Sequence, residues 1–248
     1  MICRNQNGVL CMETNDIYEV WNKETAGVLS VKPLILKACE AGMLGQAISF
    51  PGGCIYKSMF TYLCGIPDSD FLAEHKDLIY ESRLVCMSDE WAEYIRKLPA
   101  KFILRRELME PFCSESSKIM NELPEGYSLS PFTEEIFDMH PFDHGSSYSD
   151  YQEFAKNGAG AAILFEGKVV SAASSFITFE DHVELDVFTE PEHRHKGLAD
   201  HCVFEMLKQC RSKDFTVHWD AQNRMSSKMA VSHGFVPVTD YAVYWLEG

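Results

Sequence analysis

The sequence has few of the features that would place the chain in a membrane or an oxidising compartment. No apolar run approaches the ~20 residues that a membrane-spanning helix needs. Residues 1–5 show no charged segment leading into an apolar one, as a signal peptide would. The nine cysteines are odd in number, and none forms a CxxC pair. We therefore predict buried, reduced thiols, a cytoplasmic location and no membrane partner.

Positive charge is also scarce, since 22 Lys and Arg residues face 37 Asp and Glu residues, for a net charge of −15. A field of this sign repels nucleic acid and anionic membranes, and it attracts cationic small molecules. The same charge is equally well explained by solubility alone. The composition therefore predicts no nucleic-acid partner and is compatible with a small cationic ligand.

The chain shows no repeats, and its clearest interruption is at Pro124 and Gly126, after which a strand pattern begins at Tyr127. We predict two domains, residues 1–125 and 126–248, in an α/β (α+β) fold. In the first we expect helices at 31–42, 69–79 and 91–98 and strands at 47–50, 59–64 and 101–106. In the second we expect strands at 161–165, 169–177, 182–189, 215–219 and 235–246, and helices at 197–210 and 223–233.

The most informative candidate for a ligand-binding site is residues 191–199, Pro-Glu-His-Arg-His-Lys-Gly-Leu-Ala. It lies between a predicted strand and a predicted helix. A helix start presents backbone N–H groups and the positive end of its dipole, so it binds phosphate readily. Gly197 lets the backbone approach a ligand closely. Arg194, His195 and Lys196 add positive charge within an acidic half of the chain. The alternative is a helix start that is merely solvated.

This stretch resembles the cofactor loop of the GNAT superfamily of acyl-CoA N-acyltransferases. Pro191, Glu192, Arg194, Lys196, Gly197 and Ala199 match that loop, and Asn223 with Gly234-Phe235 match the family's second helix. The strong match spans about residues 182–236. The whole chain is most similar to the zwittermicin A resistance type, in which a GNAT domain follows an N-terminal domain of similar size. The Trp-Asp-x-x-Asn run at 219–223 and Glu184 support this resemblance.

The resemblance implies that acetyl-CoA is the acyl donor and that the strands at 182–189 and 214–219 are parallel neighbours, splayed to admit it. The first strand would bulge and bind the pantetheine arm through its backbone, the loop amides would hold the pyrophosphate, and Asn223 would reach the pantetheine or acyl group. Asn223 is equally a helix N-cap, and both roles are compatible. The predicted donor-binding residues are Val187, Phe188, Thr189, Arg194, His195, Lys196, Gly197, Leu198, Ala199, Asn223 and Ser226.

Two residues depart from the family pattern. His195 stands where the family usually has Gly, so we expect its side chain to point to solvent. Ala230 stands where many members have the Tyr that protonates the departing thiolate. Ser226, Tyr241 and Tyr244 remain as candidate acids.

Glu184 and Asp186 are the candidate catalytic residues, because either could accept the proton of an amine beside the expected acetyl position. The alternative is that both simply face solvent. His140 and His144 could suggest a metal site, but Pro141 and Gly145 favour a loop, and no third ligand is evident. We predict no metal, and the family resemblance implies that this loop contacts the acceptor.

The expected activity is acetyl transfer to an amine, and the expected acceptor is a small cationic molecule. A non-catalytic acyl-CoA-binding sensor or scaffold is the alternative, and a protein amine is a further one. The sequence leaves the oligomeric state open, with a homodimer as one option.

Overall fold

The computed structural model describes residues 3–4, 10–11, 33–80, 82–111, 120–139, 141–142 and 147–246. The helices are α1 (Pro33–Glu40), α2 (Ser69–Glu74), α3 (Asp89–Arg96), α4 (Glu134–Asp138), α5 (Tyr151–Asn157), α6 (Leu198–Ser212) and α7 (Arg224–Ser232). The strands are β1 (Cys3–Arg4), β2 (Leu10–Cys11), β3 (Gln46–Phe50), β4 (Gly53–Lys57), β5 (Thr61–Gly65), β6 (Arg83–Cys86), β7 (Ala100–Pro111), β8 (Tyr127–Pro131), β9 (Gly160–Phe165), β10 (Lys168–Phe179), β11 (His182–Thr189), β12 (Thr216–Ala221) and β13 (Phe235–Leu246). None of the helices in these ranges is long and apolar enough to cross a membrane.

The chain divides into two compact units, which do not coincide with the predicted domains. The first contains residues 1–107 and 239–248, and the second contains residues 108–238. The division falls between residues 107 and 108, inside β7, and between residues 238 and 239, inside β13. The predicted boundary after residue 125 lies instead just before β8. Whether residues 1–125 and 126–248 fold independently stays a prediction.

In the first unit, the strands follow the order β3-β4-β5-β6-β13. The pairs β3–β4 and β4–β5 are antiparallel, β5–β6 is parallel, and the end of β13 pairs antiparallel with β6. The helices α1, α2 and α3 and the strands β3, β5 and β7 were predicted. The strands β4 and β6 were missed. The strand β4 begins at Gly53, which belongs to the Pro51-Gly52-Gly53 run and is therefore typical of a turn.

In the second unit, the order is β12-β11-β10-β9-β8. The pairs β8–β9, β9–β10 and β10–β11 are antiparallel, whereas β11–β12 is parallel. The predicted hairpin of β9 and β10 and the predicted parallel pair are therefore confirmed. The helix α6 connects the two parallel strands, as predicted for a crossover.

The two faces of the sheet in the second unit are covered differently. One face packs against an apolar stripe of α6, which buries Leu198, Cys202, Val203, Met206, Leu207 and Cys210. Val183 and Leu185 of β11 and Val217 and Trp219 of β12 belong to this core. A second cluster, around Phe132, Phe137, Tyr148 and Phe154, contains Ala162 and Ala172, with Phe188 packed against it. Because side chains alternate along a strand, His182, Glu184 and Asp186 lie on the face of β11 away from α6.

Most helices whose start is described begin with a side chain that caps the first backbone N–H groups. The capping residues are Asp68, Ser88, Thr133, Asp150 and Asn223. The helix α6 differs, because its N-cap is Gly197, which has no side chain to accept these hydrogen bonds.

Candidate functional site

The two parallel strands separate part-way along their length. Their residue pairs are His182 with Thr216, Val183 with Val217 and Glu184 with His218. The strand β11 continues to Thr189 and β12 continues to Ala221, and between residues 185–189 and 219–221, all described, no further pairs occur. The predicted splay therefore begins directly after Glu184 and His218.

Carboxylates surround this point of separation. Glu184 is 6% exposed and Asp220, two residues after His218 on β12, is 8% exposed. The alternative in which Glu184 simply faces solvent is therefore wrong, and its carboxylate lies in an environment where a charge requires stabilising partners. Asp186, two residues after Glu184 on β11, is half-buried.

Asp186 interacts closely with its own strand. Its Oδ1 atom accepts a hydrogen bond from the backbone N–H of Val187 at 2.8 Å. The Val187 amide is thus already bonded within the chain, and the Asp186 carboxylate already accepts one backbone hydrogen bond.

The predicted bulge lies on a different strand. Residues Val187, Phe188 and Thr189 pair regularly with Ala173, Ala172 and Ser171 of β10. The irregularity of this strand pair falls between Ser175 and Ile177 of β10, opposite Leu185 and Glu184. The expectation of a bulge at 187–189 is therefore corrected, since the extra residue sits on the neighbouring strand.

The backbone carbonyls of Phe188 and Thr189 already accept hydrogen bonds within the protein. The Ser171 hydroxyl donates to the Phe188 carbonyl at 3.0 Å, and Nε of Arg194 donates to the Thr189 carbonyl at 3.0 Å. Arg194 therefore anchors the end of β11 to the loop that follows it, in addition to any charge it offers a ligand.

The loop before α6 has the backbone shape that an anion site requires. His195 and Gly197 both adopt left-handed conformations, with φ of 63° and 75°. A Cβ atom added at Gly197 would meet nothing within 4 Å. Because Gly197 provides no side-chain cap, the first N–H groups of α6 are left for a ligand or for water. His195 is exposed, as predicted.

The Lys196 side chain is hydrogen-bonded to Tyr127, the first residue of β8. Its Nζ atom donates to the hydroxyl of Tyr127 at 2.8 Å and to the carbonyl of Glu192 at 3.1 Å. The Tyr127 hydroxyl also lies 2.8 Å from Nδ1 of His193. These contacts hold the loop shape, so the basic cluster is partly structural.

The second predicted donor contact lies at the start of α7. Oδ1 of Asn223 accepts from the amides of Met225 and Ser226 at 2.9 and 3.0 Å, which shows the N-cap role. Only the amide NH₂ of Asn223 is then left for a ligand. The Ser226 Oγ atom accepts from the indole N–H of Trp219 at 3.0 Å, so its own hydroxyl proton is directed elsewhere.

A sequence model of GNAT acetyltransferases matches residues 30–244 of the chain. The chain belongs to the GNAT acetyltransferase family. This family consists of acyltransferases that use acetyl-CoA as acyl donor, and the predicted family membership is confirmed.

Other GNAT proteins resemble the chain over most of its length. The Bacillus subtilis (strain 168) protein named uncharacterized N-acetyltransferase YdfB is 28% identical over 171 residues, which is 65% of this chain and 65% of that relative's length. A GCN5-related N-acetyltransferase-like protein from Streptococcus suis 89/1591 has a TM-score of 0.69 at 21% identity, covering 88% of this chain and 95% of its own. A GCN5-related N-acetyltransferase from Kribbella flavida has a TM-score of 0.57 at 12% identity, covering 86% and 95%. At these identities the structures show the fold alone, and the predicted fold class is confirmed.

Within this GNAT fold, the residues proposed as acids lie in contrasting places. Ala230, which replaces the family's Tyr, is fully buried among the residues that pack under the sheet. Tyr241 and Tyr244 are buried and belong to the first unit. Burial raises the pKa of the Cys202 thiol to about 12, which makes it a poor nucleophile at neutral pH. Ser226 is thus the candidate acid that lies beside the splayed strands.

The loop expected to contact the acceptor is only partly described. His140, Asp143, His144 and Gly145 lie outside the described residues. The Phe142 ring makes an edge contact with the Phe188 ring at 5.3 Å between centroids, which places this part of the loop beside β11. No group of three or more potential metal ligands occurs among the residues that the structure does describe.

Sequence reasoning missed two interactions between distant residues. Nδ1 of His182 and Nε2 of His218 lie 2.8 Å apart. Nε2 of His233, at the end of α7, lies 2.9 Å from Oδ1 of Asp200 in the first turn of α6. Only the strand register could have indicated the first pair, and no sequence signal indicates the second.

Proposed function

We propose that this GNAT protein transfers an acetyl group from acetyl-CoA to the amine of a small cationic molecule, and that Glu184 accepts the amine proton. The observation that carries the proposal is the location of Glu184, a buried carboxylate in the last residue pair that joins β11 to β12. A substrate placed where the strands separate would lie against this carboxylate. The net charge of −15 supports a cationic acceptor, whereas a protein amine remains the alternative acceptor.

The donor's phosphates fit the loop at residues 194–199. Its left-handed residues, the uncapped start of α6 and the open space beside Gly197 leave room for backbone N–H groups to bind them. The Asn223 amide NH₂ can donate to a carbonyl of the pantetheine or acetyl group. Val187–Thr189 would line the donor from β11, although the Val187 amide must first leave Asp186 if it is to bind the donor.

The chemistry needs a proton acceptor and stabilisation of the leaving sulfur. The amine nitrogen forms a bond to the acetyl carbon, the bond from that carbon to sulfur breaks, and the amine proton passes to Glu184. Asp186 is the second candidate base, ranked lower because it accepts from Val187. The Ser226 hydroxyl can donate to the departing thiolate, since its oxygen already accepts from Trp219. Holding both reactants in place supplies much of the rate.

Replacement of Glu184 by Gln tests this role. We expect Glu184→Gln to lower kcat/KM about 100-fold at neutral pH. The loss should shrink as the pH rises, because an amine with a pKa near ~10.4 is then increasingly unprotonated without help. Acetyl-transfer rates from pH 6 to 10 with a panel of amines, followed by release of the free thiol, measure this.

The matched control is Glu180→Gln, which removes the same charge from an exposed position just before β11. It should retain the wild-type rate. A Glu184→Gln enzyme with an unchanged rate at every pH would remove Glu184 from the mechanism. The affinity for CoA should be the same in all three proteins.

A non-catalytic acyl-CoA-binding protein is the second candidate function, and the burial of Ala230 at the family's Tyr position favours it. It predicts that CoA raises the melting temperature while no amine is acetylated. Similarity to the zwittermicin A resistance type, a cytoplasmic location, and the absence of nucleic-acid and membrane partners remain predictions from the sequence.

A further inference from the structure

The hydrogen-bonded pair of His182 and His218 forms a feature that the proposed reaction has not yet used. Nδ1 of His182 and Nε2 of His218 are 2.8 Å apart, and the ring centroids are 5.0 Å apart. In such a bond one nitrogen donates and the other accepts, so the two rings share one proton at their contact. Imidazole is also the side chain that gains and loses a proton near neutral pH.

The pair lies between the strand position of Glu184 and the exposed Asp181. His218 is the residue that β12 places opposite Glu184, on the same face of the sheet. On the other side, Nε2 of His182 lies 3.7 Å from Oδ1 of Asp181. The exposed fraction rises along this path, from 6% for Glu184 to 42% for the His182 side chain and 66% for the Asp181 side chain. The order Glu184, His218, His182, Asp181 therefore leads from the interior to water.

We propose that His218 and His182 form a proton relay that carries the amine proton from Glu184 to solvent at Asp181. This rests on the proposed function, because it needs Glu184 to act as the base. A buried carboxylate that has taken a proton must lose it before the next turnover. Bulk water reaches Glu184 poorly, so a chain of titratable groups gives the proton a route out.

The proton balance along the relay is simple. Glu184 gives its proton to Nδ1 of His218, Nε2 of His218 gives its proton to Nδ1 of His182, and Nε2 of His182 releases one to Asp181 or water. One proton enters and one leaves. Rotation of the two imidazole rings between turnovers then presents a bare nitrogen to Glu184 again, so that no proton has to leave through the buried side.

The charges near the histidine pair favour its transiently protonated, cationic form. Asp186 and Asp220 lie on the same face of β11 and β12, next to the residues of the relay. On the neighbouring strand β7, Glu110 is exposed, whereas Met109 points into the α6 core. Among the residues that the structure describes on these strands, the groups named beside the two histidines are carboxylates, and they stabilise a transient imidazolium.

Chemical rescue tests the relay in the full-length enzyme. We expect His182→Ala to lower kcat about ten-fold at neutral pH in a dilute buffer, while KM for acetyl-CoA is unchanged. Because the His182 side chain is 42% exposed, added imidazole can reach the vacated position and should restore the rate in proportion to its concentration. His182→Gln, which keeps the size of the side chain, should lose the same rate if His182→Ala folds poorly. His75→Gln, in the first unit, is the control and should retain the wild-type rate.

A rate that does not fall in either variant, or a loss that imidazole does not restore, would overturn the relay. A second readout does not depend on turnover. NMR should detect a coupling across the hydrogen bond between Nδ1 of His182 and Nε2 of His218 in the wild type, and His218→Gln should abolish it. Absence of this coupling from the wild type would also overturn the relay. Lack of turnover by the wild type with every amine would overturn the proposed function, and the relay with it, whereas failure of the rescue alone leaves acetyl transfer intact.

Discussion

The helices α6 and α7 each follow one of the two parallel strands, yet their first turns differ in how the backbone N–H groups are capped. At α7, Asn223 occupies the N-cap and its side chain accepts two backbone N–H groups. At α6, Gly197 occupies the N-cap in a left-handed conformation and provides no side-chain acceptor. A helix start that the protein caps itself is satisfied, whereas one that it leaves uncapped needs water or a ligand. The difference supports the proposal that α6 binds the anionic part of the donor, whereas α7 would supply a polar contact through Asn223.

The largest expected effect is on CoA binding, and it comes from adding negative charge to the uncapped start of α6. Gly197→Glu should weaken CoA binding by at least about 100-fold, because a carboxylate would compete with phosphate for the same N–H groups. CoA should then no longer raise the melting temperature of the variant. Isothermal titration and thermal unfolding with CoA measure both effects.

Gly167→Glu is the matched control for this prediction. Gly167 has φ of 76°, close to the 75° of Gly197, and a Cβ atom at either position would meet nothing within 4 Å. Each substitution should therefore cost about 1–2 kcal/mol of stability from the left-handed backbone. Only Gly197→Glu should lose CoA binding. Retention of wild-type affinity by Gly197→Glu would place the phosphates elsewhere.

An intermediate effect is expected at the capped start. Asn223→Ala should lower the free energy of unfolding by about 0.5–2 kcal/mol, because two amides lose their acceptor. Asn223→Asp keeps the acceptor and removes the NH₂ group, so it separates the cap from a contact with the donor. Chemical denaturation and CoA titration of both variants make the comparison.

Asp150→Ala provides the reference for loss of a cap alone, since Asp150 caps α5 through the amide of Glu153 at 2.8 Å. It should lose a similar stability and keep its CoA affinity. If Asn223→Asp binds CoA as tightly as the wild type, Asn223 acts only as a cap.

The smallest effect is expected from His195, which has φ of 63° in the loop before α6. His195→Gly should relieve backbone strain but increase the entropy of the unfolded chain, for a net gain of about 0.5 kcal/mol. Glu166→Gly, at φ of 51° in the turn between β9 and β10, should gain a similar amount. A clear loss of stability in His195→Gly would mean that its imidazole makes a favourable contact.

The fold of the second unit could be predicted from the sequence because its signals are local. The stripe of α6 repeats at helical spacing, and β11 alternates apolar and polar residues through Val183, Glu184 and Leu185. The strand β6 was missed because four residues give too short a pattern to detect. The division of the chain was also beyond reach, since strand pairing, rather than composition, decides where residues 239–248 belong.

The local structure of the candidate site could be predicted where it depends on the backbone of a short segment. It could not be predicted where it depends on contacts between residues far apart in the chain. A glycine at a strand-to-helix junction indicated the uncapped start of α6, and Asn223 was expected to be a cap. The contact of Lys196 with Tyr127 joins residues far apart in the chain, so no spacing rule reveals it. The burial of Glu184 likewise depends on how the strands pair, and the position of the bulge on β10 depends on which of two strands has the extra residue.

The hydrogen bond between Asp200 and His233 has a consequence for how sequences of this kind diverge. It joins the start of α6 to the end of α7, and the His233 side chain is fully buried. Losing either residue alone removes a buried hydrogen-bond partner, at a cost of about 1–3 kcal/mol. An evolving lineage that exchanges one of them therefore passes through a weakened intermediate unless the other changes as well. We expect the two positions to covary among relatives, as a carboxylate–imidazole pair or as two apolar residues.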